Sequence, residues 1–473
     1  MLLQLAVMMG AIAIGSRKGG VGMGLAGAVG VFVLATVFGV APADTSGIVD
    51  VMLIILAVIM AAAAMESAGG IDYLVGVAER VIRRKPSRVT FIAPVVAWLF
   101  TLGAGTAHVF YPLLPVIHDV AREGGVRPER PIAVSSIAAT VGITASPVSA
   151  AMAAMIVLFD KDGWGLPKIM AVAVPATFVG VLVAATVQSR IGKPLHQDPE
   201  YLRRLSAGEI EPLPATTPTA SVPLTGTATV TATETITAAP TSTPAAPTRA
   251  TNSPRPRARW SALLFLGGAV AVVVSGLFPA LRPEVPKAAG GGVQPLSMPA
   301  TIEILMMAVA ALILLLCKVD AKKIPGTDVA RSGLVAVIGV FGLSWLGLSF
   351  IGANEARITD ALGGIARSQP WFFAVMLLVL SALLFSQATT TKALMPLGLA
   401  LGIPAPLLIA MWPAVNGYFL LPTYGTFIAA INFDRTGTTR VGRFVVNHSF
   451  MIPGLITTAT AVLTGFGIAE LLA

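Results

Sequence analysis

Two stretches of this chain place hydroxyl and basic side chains in the middle of long apolar runs. GAGTAH (103–108) interrupts the run 89–121, and SQATTTK (386–392) interrupts the run 371–403. Two further runs carry a proline inside a polar break: ITASPVSAA (143–151) within 132–158, and LLPTYGTF (420–427) within 405–431. Together the breaks contribute Thr106, His108, Thr144, Ser146, Ser149, Gln387, Thr389, Thr390, Thr391, Lys392, Thr423 and Tyr424. Most of these are hydroxyls, one is a lysine, and neither tip contains a carboxylate. A helix that starts at such a tip aims its free N–H groups and the positive end of its dipole at the break. Half-helix ends, hydroxyls and one ammonium suit an anion, and two related tips suit an anion with two ends. A cation or sugar site would instead call for carboxylates.

Each residue also has a plainer reading. A threonine or serine in a membrane helix often bonds only to the carbonyl one turn back. Lys392 is harder to discount, because a lysine at mid-membrane costs about 2.5–3.5 kcal/mol on insertion scales. It binds the ligand or gates its access, or it pairs with Glu303 or Glu66. His108 either binds ligand, carries a proton or is a satisfied interior histidine. Glu66 and Asp72 sit near a span end, where interfacial solvation suffices.

The elements that hold these breaks follow from composition. Of 473 residues 55% are hydrophobic and 12% charged, about half the charge of a soluble domain, and mean hydropathy is +0.82. Lipid admits only helices or closed barrels, and runs of this length without alternation select an all-α polytopic membrane protein. The start, MLLQLAVMMGAIAIGSRKGG, has its charges after the apolar run, opposite to a secretory signal, and is expected to be a retained first span. One cysteine and four histidines supply neither a disulfide framework nor a zinc cluster. No GxxxxGK[ST] loop occurs, no nucleophile–base pair is legible at membrane depth, and no metal or other cofactor is expected. An enzyme is thereby disfavoured; a carrier or an anion channel remains.

The net charge of +9 is an orientation signal rather than a nucleic-acid patch. Most basic residues, including Arg17, Lys18, the run ERVIRRKPSR (79–88), Arg127, Arg130, Lys322, Lys323, Arg435 and Arg440, fall on one set of loops, which the positive-inside rule makes cytoplasmic. Runs 89–121 and 371–403 must each return to the side they enter from, so both are expected to be re-entrant hairpins. Residues 1–190 then hold five crossings plus the hairpin 89–121, with a broken helix at 132–158. Residues 260–473 hold five crossings plus the hairpin 371–403, with a broken helix at 405–431. An odd number of crossings makes the halves inverted repeats and puts both termini outside. Aligning Pro112 with Pro396 pairs Thr106 with Thr390 and His108 with Lys392, and Pro147 aligns with Pro422. Inverted repeats with discontinuous helices are a signature of secondary transporters, with the site near the midplane. Residues 191–259, rich in Thr, Pro, Ala and Ser from Pro212 to Pro256, read as a disordered cytoplasmic linker.

Specific strings add a resemblance. GSRKGGVGMGLAGAVGV (15–31), AGGIDYLV (68–75), ITASPVSAA (143–151), CKVD (317–320), SQATTTKALMP (386–396), LPTYGTF (421–427) and DRTGTTRVGRFVVNHSFMIPG (434–454) resemble the anaerobic C4-dicarboxylate (Dcu) transporters, within the wider ion-transporter superfamily. The resemblance implies exchange of fumarate, succinate, malate and aspartate, or their uptake with cations, in a bacterial inner membrane. It also implies a homodimer and an elevator motion. Its tip residues are Ala104, Gly105 and Thr106, then Ser386, Gln387, Thr389, Thr391 and Lys392. Its broken-helix contacts are Ser146, Pro147 and Ser149, then Pro422, Thr423 and Tyr424. The chain departs from the pattern at Ala107, His108 and Thr390. A carrier for a related carboxylate or amino acid is the alternative within the superfamily.

Overall fold

The computed structural model describes residues 1–18, 21–210, 256–286, 292–384, 386–421, 424–441 and 447–472. The first half contains α1 (Leu2–Lys18), α2 (Gly22–Phe38), α3 (Ser46–Ser67), α4 (Gly70–Arg83), α5 (Val89–Ala104), α6 (Leu114–Glu123), α7 (Glu129–Ala145), α8 (Ala150–Phe159), α9 (Leu166–Gln188) and α10 (Pro199–Ser206). The second half contains α11 (Pro256–Leu277), α12 (Met298–Leu316), α13 (Asp328–Ser368), α14 (Trp371–Leu384), α15 (Gln387–Ala400), α16 (Ala405–Met411), α17 (Gly425–Phe433) and α18 (Met451–Leu472). Among the described residues, eight helical stretches are long and apolar enough to cross a membrane, and four shorter apolar helices accompany them. The fold is therefore an all-α polytopic membrane protein. A small antiparallel ribbon, β1 (Glu284–Pro286) with β2 (Val293–Pro295), is the exception that hydropathy did not announce.

Lipid supplies no hydrophobic drive between helices, so close approach rests on small residues. Along α2 and α13 the backbones touch: a Cβ at Gly342 would lie 1.8 Å from the Gly24 carbonyl oxygen, and one at Gly24 would lie 2.0 Å from that of Ile338. The same device joins α9 to α18, where a Cβ at Gly180 would meet the Thr457 oxygen at 2.6 Å. Two sets of packing result. Helix α2 runs along α13, α3 along α12, α1 on α2 and α11 on α12; separately, α5 packs on α7, α9 on α18, α7 on α9 and α16 on α18. Glu66 caps α13 by accepting the Val329 N–H at 2.9 Å, an acid at a positive helix end. It is not the partner of Lys392.

The borders of the expected linker are corrected. Residues 195–210 fold, with Leu195, Tyr201 and Ile210 buried together, and Asp198 caps α10 by accepting the Glu200 and Tyr201 N–H groups at 3.0 and 3.1 Å. Asp198 also takes the Arg127 guanidinium in a buried ion pair. At the other border, Pro256 already begins α11. Composition was misleading here because a few buried aromatic and aliphatic contacts outweigh an otherwise polar stretch. The remainder, 211–255, lies outside the described residues. Helix α13 runs unbroken for 41 residues, to Ser368.

Candidate functional site

The first tip forms because Gly105 terminates α5 in the left-handed region (φ 73°), donating its N–H to the Thr101 oxygen at 2.8 Å. A 3₁₀ segment, Ala107–Leu113, carries the backbone of His108 into α6. The turn backs directly onto the first helix break: a Cβ at Gly105 would lie 2.8 Å from the Val148 oxygen. Ala104, Gly105 and Thr106 line a cavity of about 120 Å³ together with Val148 and Ala150, and with Ile59 of α3 and Gly333 of α13.

The break itself follows from Pro147, which has no N–H to give and drives the preceding residue out of the helical region. Ser146 is extended (φ −79°, ψ 127°). Ser149 restarts the helix by accepting the Met152 N–H at 3.0 Å, an N-cap of the usual kind. Ser146 Oγ accepts the Val148 N–H at 3.4 Å. Thr144 gives its hydroxyl to the Val141 carbonyl at 2.7 Å, the plainer reading of a membrane threonine.

At the second tip Ser386 is extended and caps α15, its Oγ accepting the Thr389 N–H at 3.2 Å and the Thr389 hydroxyl at 2.9 Å. Thr390 returns its hydroxyl to the Ser386 carbonyl at 2.7 Å. Thr391 accepts the Trp412 indole N–H at 2.9 Å. Gln387 Nε2 donates to the Thr140 carbonyl of α7 at 2.7 Å and to Asn416 Oδ1 at 3.0 Å. Asn416 lies in a 3₁₀ segment, Trp412–Leu420, at the point where the backbone leaves helical geometry (φ −97°, ψ 24°). Lys392 is buried at 8% exposure, and its ammonium donates to the Ile48 carbonyl in the first turn of α3 at 3.3 Å. Tyr424 precedes α17 and stacks on Tyr418 with ring centres 4.7 Å apart. Pro422 and Thr423 lie outside the described residues.

The structure thus brings the first tip onto the first break, and the second tip onto α7 and the kinked segment. Lys392 it assigns to α3, not to the hydroxyls beside it in sequence. Asn416, Trp412 and Tyr418 were not foreseen. The Asn–Gly pair inside the run 405–431 was the available signal, since a polar side chain at that depth is costly.

The string 434–454 has a structural reading of its own. Asp434 gathers the Thr436 N–H (3.0 Å), the Thr438 hydroxyl (2.8 Å) and the Thr439 N–H (2.6 Å) into a tight turn. Thr438 Oγ1 then accepts the Glu129 N–H at 3.1 Å, capping α7. Beyond it, burial holds the His448 imidazole below its usual pKa. Among the described residues no group of three His, Cys, Asp or Glu side chains is placed to hold a metal ion.

Comparison with known proteins follows the same chain end to end. The profile of a family described as "Anaerobic c4-dicarboxylate membrane transporter" matches residues 1–473. The "C4-dicarboxylate transporter DcuA" of Escherichia coli (strain K12) is 38% identical over 469 residues, covering 98% of each chain. The "C4-dicarboxylate transporter DcuA" of Wolinella succinogenes is 36% identical over 473 residues, covering 100% of each. The "Anaerobic C4-dicarboxylate transporter DcuB" of Escherichia coli O157:H7 is 35% identical over 470 residues, covering 98% of this chain and 97% of its own.

Proposed function

Because the chain belongs to the anaerobic C4-dicarboxylate membrane transporter family, and is thus a membrane transporter rather than an enzyme, we propose that it exchanges fumarate, succinate, malate and aspartate across a bacterial inner membrane. Residues 1–190 and 260–473 act as two inverted repeats, with re-entrant hairpins at 89–121 and 371–403 and both termini outside. Mirrored packing supports this reading: α2 on α13 corresponds to α12 on α3, α1 on α2 to α11 on α12, and α7 on α9 to α16 on α18.

The substrate site is formed by the two tips and the two breaks: Ala104, Gly105, Thr106, His108, Ser146, Ser149, Gln387, Thr389, Thr390, Thr391, Lys392, Thr423 and Tyr424. The observation that carries it is the buried tie from Gln387, on one tip, to the Thr140 carbonyl in the other half. It joins the hairpin of one repeat to the broken helix of the other, which is where a two-ended anion would lie. Helix ends and hydroxyls neutralise the dianion with fixed dipoles, and Lys392 adds an ammonium once it leaves the Ile48 carbonyl.

In an elevator motion the set built on α5, α7, α9 and α14–α18 slides against α1–α3 and α11–α13. The Lys392–Ile48 contact spans that boundary and must break in each passage. The empty carrier must take its ammonium away from the Ile48 carbonyl and the field of the Asp50 carboxylate uncompensated, so the loaded carrier crosses faster than the empty one, and exchange results. The working unit is a homodimer, as the family likeness implies.

Counterflow in proteoliposomes tests this. Vesicles loaded with succinate should accumulate external labelled fumarate, and vesicles without internal dicarboxylate should not. Uptake that needs only a Na⁺ or H⁺ gradient, with no stimulation by internal succinate, would replace exchange with coupled import.

A further inference from the structure

Gln387 and Asn416 are 3% and 0% exposed, and their amide orientations are fixed by a third group. The Thr140 carbonyl only accepts, so the Gln387 atom 2.7 Å from it is the Nε2 donor. The same nitrogen faces Asn416 at 3.0 Å, so Asn416 must present its oxygen. The far ends of both side chains follow: an acceptor, Gln387 Oε1, and a donor, Asn416 Nδ2. Neither has a hydrogen-bond partner among the described residues. Burying one such group is unfavourable, and two side by side are rarely tolerated without a role. The Trp412–Thr391 bond and a hydrogen bond between the Tyr418 phenol and the Gln387 side chain hold the same segment against α15.

Resting on the dicarboxylate reading above, we infer that Gln387 and Asn416 form a subsite for a hydroxyl on the substrate's carbon chain, so that the carrier favours a 2-hydroxy C4-dicarboxylate over the unsubstituted diacid. Of a hydroxyl, a carboxylate and an ammonium, only the hydroxyl serves both ends. It accepts from Asn416 Nδ2 and donates to Gln387 Oε1. A carboxylate only accepts, and would set its charge against the Gln387 oxygen. An ammonium only donates, and would leave Asn416 unpaired. The selectivity arises because a site built for a hydroxyl penalises an analogue that lacks one. The Thr140–Gln387 bond holds the reading pair in place from the other half of the chain, so Thr140 contributes through its backbone alone.

The test uses the full-length protein in proteoliposomes exchanging labelled fumarate, with unlabelled succinate, each enantiomer of malate, and 2-methylsuccinate as competitors. One malate enantiomer should compete about tenfold more tightly than succinate, the gain expected of two added hydrogen bonds. 2-Methylsuccinate, which fills similar space without a hydroxyl, should do no better than succinate. Asn416→Ala should raise the inhibition constant of malate about tenfold more than that of succinate. If that variant fails to fold, the wild-type panel decides alone. Fumarate and succinate exchanging normally while malate and 2-methylsuccinate compete alike would overturn the subsite and leave the transport reading standing, as would Asn416→Ala weakening every competitor equally. Absence of exchange with every C4-dicarboxylate would overturn the transport reading itself, and the subsite with it.

Discussion

Replacing Gly105 by alanine probes whether the first tip must lie flush against the first helix break. Two costs add. The left-handed backbone (φ 73°) disfavours any residue with a Cβ by about 1–2 kcal/mol. The new methyl would also lie 2.8 Å from the Val148 oxygen, 3.0 Å from its carbonyl carbon and 3.2 Å from its Cγ2. Two of those atoms are main chain, so the tip must shift rather than a side chain rotate. Overpacking of this kind costs about 1–3 kcal/mol, giving about 2–5 kcal/mol against the native tip. Gly163 is the control: its φ is also positive, at 75°, but nothing lies within 4 Å of where its Cβ would be. Gly163→Ala therefore carries the backbone cost alone, about 1–2 kcal/mol. Fumarate counterflow per folded protein, with the amount folded measured by size-exclusion chromatography in detergent, should fall at least about tenfold for Gly105→Ala and stay near wild type for Gly163→Ala. Equal behaviour of the two variants would refute the argument that contact with Val148 positions the tip.

Asp198→Ala removes one of the two carboxylates on the buried Arg127 guanidinium, which keeps Glu129 at 2.5 Å; thermal unfolding in detergent should show a loss of about 1.5–3 kcal/mol, and a loss under about 0.5 kcal/mol would show the Asp198 bond to be dispensable. His448, whose pKa burial lowers, gives a defined sign with pH. The unfolded chain takes up a proton below about 6.5 while the folded chain resists it, so stability falls as pH drops through that value toward the lowered folded one. Melting temperatures of the wild type should decline over that window and those of His448→Gln should decline less; parallel curves would contradict the assignment. Gly342→Val sets a branched side chain into contact with the Gly24 backbone and should abolish recovery of folded protein, whereas recovery at wild-type yield would mean that α2 and α13 do not rely on that contact.

The apolar runs were legible because lipid leaves the backbone no alternative to helix. The breaks were legible because proline and serine have local consequences: Pro147 interrupts α7, and Ser149 and Ser386 cap the helices that follow. What could not be read is tertiary. Nothing in SQATTTK announces that Lys392 would reach a carbonyl 344 positions earlier in the chain, or that Thr391 would be taken by Trp412. Asn416 was passed over because its neighbours Trp412, Val415 and Phe419 disguise a kink as ordinary apolar helix. The order of residues 195–210 was missed because Tyr201 and Leu195 find their burial partners only once the chain has folded.

The central claim, that the tips hold the dicarboxylate, is tested most directly by substrate protection. The chain has one cysteine, Cys317, so Thr106→Cys in a Cys317→Ser background carries a single reactive thiol at the first tip. Labelling of that thiol by a thiol-reactive probe, in protein still active in counterflow, should slow in the presence of saturating succinate or fumarate and be unaffected by a monocarboxylate such as butyrate. Labelling at the same rate with and without saturating dicarboxylate would place the substrate elsewhere and contradict the account.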